Sequence, residues 1–251
     1  MGGRGSSSTR HGKGSSPTAR LNALGITVGQ EARKLDGKIL NLAADTVEQF
    51  YKDHPSTRGM VSTIVTSNED ATRPSGHLGV TDGAAARFNP IERKTKIILN
   101  ELSFKDPAKL ESTYKRTVEL GRHPKNTDVS DMIYHELGHA ATTQWGLNTG
   151  LIHQNGVIDR NAVPNQKQRL RPQIEVASNQ IMRHATSIAK RLNPEAMRGV
   201  IPTGEISGYA MKSNAEAVAE AFTDVRRNGK HAHPLSQAIV QVVDNPKKYH
   251  V

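Results

Sequence analysis

The run His135-Glu136-Leu137-Gly138-His139 carries two imidazoles four positions apart, with a carboxylate beside the first. On a helix, residues four apart lie on one face, one turn above the other. Two imidazoles so placed can each turn a ring nitrogen toward one metal ion at about 2.0–2.1 Å. Glu136 then stands at the edge of that face, where its carboxylate reaches a metal-activated water without being a ligand. Zinc lowers the pKa of such a water toward about 7, and a carboxylate can take its proton. The expected chemistry is zinc-dependent hydrolysis, with His135 and His139 as ligands and Glu136 as general base. Gly138 removes a side chain next to the metal, where a close neighbour needs room. The plain alternative is a surface His pair beside a solvated Glu.

A catalytic zinc takes a third protein ligand. The chain has no cysteine, so the ligand must be His or carboxylate, and no disulfide framework exists. The long zinc signature, with Gly and a third His three and six residues past the second His, is excluded by Thr142 and Trp145. The leading candidate lies in Ser213-Asn214-Ala215-Glu216-Ala217-Val218-Ala219-Glu220. Glu216 and Glu220 share a helix face, and their neighbours are almost all apolar. Two carboxylates in so apolar a helix need a cation or strong partners. Glu216 would bind the metal, and Glu220 would accept the free N–H of a ligand His. The alternative for the first acid is a capping box from Ser213 to Glu216, which does not explain the second. Glu175, His153, His184, His231 and His233 remain fallback ligands. Tyr209, seven residues before Glu216, could donate to a developing oxyanion, or be an ordinary buried aromatic.

These residues must be positioned by the rest of the chain. Its 251 residues are enough for one sizeable core. Hydrophobic content is only 35%, and residues 1–28, rich in Gly, Ser, Arg and Lys, read as a flexible basic arm. The remaining residues, 29–251, form one domain. The net charge is +10, and Arg4, Arg10, Lys13 and Arg20 supply four of those charges. That balance favours a nucleic acid or an acidic protein as partner of the arm. Aromatic content of 4% argues against a base-stacking platform. No apolar segment has the length of a membrane span, and the first residues lack the apolar core of a signal peptide. A cytoplasmic protein, bacterial or in a host cell, or a component of a phage particle, is expected.

Apolar periodicity predicts a helix over 30–54, ended by Pro55. Three β-branched or apolar runs, 60–66, 84–88 and 95–100, read as strands, the last two joined by a hairpin through Asn89-Pro90. Helices follow over 107–120, 128–145 with Gly146 as its stop, 172–192, 213–228, and from Pro234 onward. Residues 146–171 read as a long loop. The fold class is α+β: a small twisted sheet packs on the helix that carries the zinc motif, and a mainly helical C-terminal half closes the other side. Strand 95–100 is the expected sheet edge above the cleft, where an extended peptide could add as a further strand.

The set His135-Glu136-x-x-His139, Tyr209, Glu216 and Glu220 resembles the gluzincin metallopeptidases, especially the catalytic domain of anthrax lethal factor and its relatives. In that family a Tyr precedes the ligand Glu by seven residues and a second acid follows it by four. The family's E-x-x-A-E run stands here as Glu216-Ala217-Val218-Ala219-Glu220. The resemblance implies a zincin-like fold with one zinc per chain on His135, His139 and Glu216. It also implies Glu136 as base, Tyr209 at the oxyanion and Glu220 behind the ligands. Ala217 and Val218 stand where lethal factor has aromatic residues, so its pocket shape and substrate choice do not carry over. The Gly-Arg-Gly-Ser start resembles proteins encoded in phage head-gene clusters.

The function expected is that of a zinc endopeptidase acting on a protein or peptide. The second reading is a phage structural or DNA-associated protein with a non-catalytic zinc site.

Overall fold

Pro17 opens the first helix, α1 (Pro17–Ala23), and Ser16 caps it by accepting from the Ala19 N–H. The computed structural model describes residues 15–70, 83–152, 163–198 and 202–249. Strand β1 (Thr27–Val28) follows, with Leu21, Ile26 and Val28 buried. The flexible arm expected over 1–28 is therefore corrected: its second half is ordered by three apolar residues that dock on the core. Residues 1–14 lie outside the described residues.

Helix α2 (Gly37–Asp53) starts later than the expected residue 30, because the Asp36 carboxylate accepts from the Lys38 N–H and fixes the N-cap. Strands β2 (Val61–Thr66), β3 (Ala84–Asn89) and β4 (Lys94–Leu99) form the sheet with β1, and β3 and β4 make the expected hairpin. The order is β1-β2-β4-β3, with β1, β2 and β4 parallel and β3 antiparallel to β4. This corrects the expectation that strand 95–100 is the edge. That strand is central, between β2 and β3, and β1 and β3 are the edges.

A short α3 (Glu101–Phe104) leads to α4 (Pro107–Glu119) and then to α5 (Ser130–Asn148), the helix of the His-Glu motif. Gly146 does not stop α5. A side chain there would meet Ile152 and Ala177, so the glycine serves close packing, and Gly150, at φ +79°, follows the true end. Helix α6 (Val163–Leu192) begins before the expected residue 172; α7 (Asn214–Asn228) and α8 (Pro234–Asp244) fall where expected.

The architecture is α+β. Helix α5 is buried on most sides, against β3 and β4 on one flank and against α2, α6 and α7 on the others. Phe50 of α2 packs on Tyr134 of α5 at 4.7 Å and on Phe222 of α7 at 5.3 Å, so one ring ties three helices together. None of the described helices is long and apolar enough to cross a membrane. Replacing Phe50 with Ala should cost about 3–5 kcal/mol of stability, read from urea unfolding. A loss below about 1 kcal/mol would refute the placement of Phe50 at this junction.

Candidate metal centre

The two histidines of α5 meet the two glutamates of α7. The helices approach closely because residue 138 is glycine: a Cβ there would lie 2.9 Å from Ala219 Cα and 3.2 Å from Phe222 Cδ2. The pair is clamped at one end by charge. Arg226 and Arg227 of α7 reach the wholly buried Asp131 in the first turn of α5, at 2.9 and 2.7 Å. At the other end Ser213 caps α7 by accepting from the Glu216 N–H. The Glu216 carboxylate is turned to the histidines. Ser213 is thus a cap, while the Glu216 side chain faces the cluster.

Glu216 Oε2 lies 3.0 Å from His135 Nε2 and 3.4 Å from His139 Nε2, and the two Nε2 atoms are 3.1 Å apart. Ligand-type atoms of His135, Glu136 and His139 also all lie within 4.8 Å of one another, a group that could hold a metal ion. Glu216, rather than Glu136, makes the short contacts to both imidazoles, and Glu136 stands beside them in the cleft wall.

Behind the cluster, Glu220 is 1% exposed and accepts three donors. His135 Nδ1 lies 2.8 Å and His123 Nδ1 3.2 Å from Oε1, and Ser207 Oγ donates to Oε2 at 2.7 Å. With Nδ1–H on Glu220, His135 presents its Nε2 lone pair to the front of the site. Burial alone would raise the Glu220 pKa; the bonds from His123 and His135 outweigh it and hold the group down at about 2. Glu216 behaves alike: burial opposes ionisation, but His135 and His139 hold its carboxyl well below the usual range. For His135 burial would lower the pKa, and Glu216 and Glu220 together push it well above its ordinary value. The two carboxylates therefore favour positive charge on His135, supplied by a proton on Nε2 unless a metal ion takes that proton's place.

Tyr209 lies with its ring against His135, centroids 5.7 Å apart and nearly perpendicular, and it lines the same cleft. The cleft, of about 460 Å³, runs between the edge strand β3 (Ala84, Ala85, Ala86, Phe88) and α4 (Leu110, Thr113, Tyr114, Thr117). The fallback ligands lie elsewhere. His184 pairs with Tyr249, His233 caps α8, Glu175 and His231 are exposed, and His153 is outside the described residues. Sequence reasoning missed His123. A single His in a loop carries no local signal, and only its bond to Glu220, 97 residues away, reveals it.

Comparison with known protein families, with curated proteins and with solved structures finds no match to this chain.

Replacing Glu220 with Ala should weaken metal binding about 10–100-fold, measured by competition with a chromophoric chelator. An unchanged affinity would show that Glu220 does not support His135. Gly138→Ala should cost about 1–3 kcal/mol in thermal unfolding, because the added methyl meets backbone of α7. A neutral result would show that the helices do not touch there.

Proposed function

We propose that this chain is a zinc-dependent endopeptidase, with zinc held by His135, His139 and Glu216 and with Glu136 as general base. The observation that carries this reading is the triangle of donor atoms, with sides of 3.0, 3.1 and 3.4 Å. Three donors each about 2.0–2.1 Å from a tetrahedral zinc are about 3.3 Å apart, so the set fits one zinc ion. Two imidazoles and a carboxylate, with no thiolate, are a donor set of catalytic rather than structural zinc sites. The cleft in front of them gives a substrate access. The resemblance of these motifs to the gluzincins supports the same assignment.

Zinc bound here would act as a Lewis acid and make a water nucleophilic near neutral pH. Glu136, at the cleft wall beside His135, takes the proton of the attacking water and passes it to the departing amine. Tyr209 donates its hydroxyl toward the carbonyl oxygen as negative charge develops there. Glu220 holds the His135 ring by its Nδ1–H, so that Nε2 stays aimed forward. The substrate's main chain lies along β3. Among the described strands β3 pairs with β4 alone, and an extended peptide added at its other edge would lie in the cleft that β3 lines. The small side chains of Ala84, Ala85 and Ala86 allow that approach.

Two measurements decide the reading. Wild-type protein should bind one zinc per chain and cleave members of a peptide library. Glu216→Ala should lose the zinc at micromolar free metal, and unaltered zinc content would remove Glu216 as a ligand. Glu136→Gln should keep the zinc and lower kcat by at least about 10²–10⁴-fold. A Glu136→Gln protein with wild-type turnover would be fatal to the mechanism, and a closed site with zinc but no cleavage would favour a structural role.

A further inference from the structure

The loop after α4 and the loop before α7 are joined by two backbone bonds. Gly208 N donates to Gly121 O at 2.8 Å, and Tyr209 N donates to Arg122 O at 3.0 Å. Gly121 sits at φ +69°, a conformation that turns the chain toward His123. The His123 ring stacks on Tyr114 at 4.8 Å and 17°, and on Tyr209 at 5.5 Å and 27°. Its Nδ1 shares Glu220 Oε1 with His135 Nδ1. Ser207, two residues before Tyr209, is fixed to the other oxygen of Glu220 and accepts from the Ala210 N–H at 3.0 Å. Tyr209 is thus carried on a turn pinned to Glu220, with its ring laid on a histidine that Glu220 also holds. The Tyr209 ring also meets His135 edge-on, centroids 5.7 Å apart, and Lys212, whose Nζ lies 3.4 Å from its centroid on an exposed side chain.

We propose that His123 is a positioning residue for Tyr209: anchored on Glu220 and backed by Tyr114, its ring sets the plane of the Tyr209 phenol relative to the metal centre. The inference rests on the peptidase reading for its effect on turnover, but not for its effect on the ring. A phenol displaced by about 1 Å from its oxyanion loses roughly 10²-fold in rate. The stack, rather than the hydrogen bond, transmits the constraint to Tyr209. Phe at 123 preserves an aromatic face, and Glu220 still has His135 and Ser207 as donors.

The test is a double-mutant cycle on the zinc-loaded protein. His123→Ala should lower kcat roughly 10–100-fold with KM changed less than about twofold. Zinc affinity, by chelator competition, should stay within about threefold, since a second-sphere ligand support would cost at least tenfold. In the Tyr209→Phe background His123→Ala should cost nothing further, and His123→Phe in otherwise wild-type protein should restore most of the turnover. The proposal is overturned if the His123→Ala loss persists undiminished beside Tyr209→Phe, if His123→Phe is as impaired as His123→Ala, or if zinc affinity falls tenfold. A wild type that cleaves no peptide would defeat the peptidase reading and leave this one to a second measurement. The 13C ring resonances of Tyr209, assigned by their loss in Tyr209→Phe, should move and broaden in His123→Ala but stay sharp in His123→Phe. Unchanged resonances in both variants would overturn the positioning role.

Discussion

Between Gly138 on α5 and Ala219 on α7 there is no room for a side chain, since a Cβ at 138 would fall 2.9 Å from the opposing Cα. That approach sets the distance across which two imidazoles on one helix can meet two carboxylates on the other. It is short enough that Glu216 reaches both Nε2 atoms and Glu220 reaches the rear of His135 without bridging water. Packing alone would let the helices slide along each other. Asp131 opposes this, because a wholly buried carboxylate held by two arginines is costly to separate from either. Phe50 and Phe222 fill the space behind the crossing. Registry, spacing and core are therefore set by different interactions, and the His–Glu cluster needs all three.

The parts of the centre that were legible in the sequence are those set by local geometry. The His135/His139 spacing is a property of one helix turn, and the Glu216/Glu220 spacing of another. Chemistry then linked them, since acids in an apolar helix demand partners. What escaped was non-local. Strand order cannot be read from the order of strands in the chain, so nothing in residues 94–99 distinguishes the central β4 from the edge that β3 occupies. His123 gained meaning only from a partner on a distant helix. At Gly146 a residue that breaks helices in isolation is retained inside one, because Ile152 and Ala177 leave no space for anything larger. The order of 17–28 depends on three apolar residues too sparse to form a pattern.

The three glutamates of the centre differ by environment rather than by type. Glu220 is enclosed and accepts from three donors, so its charge is fully engaged in holding His135, His123 and Ser207. Glu216 is a quarter exposed and faces both imidazoles at the front. Glu136 lies on the same helix as the histidines and lines the cleft. A base must exchange protons with its substrate, which a carboxylate saturated with buried donors cannot do. Burial thus separates three chemically identical groups, and under the proposed reading it suits them to be a support, a ligand and a base. Glu216 and Glu220 share a face of α7, so what separates them is their depth at the α5–α7 crossing, a quarter exposed against 1%.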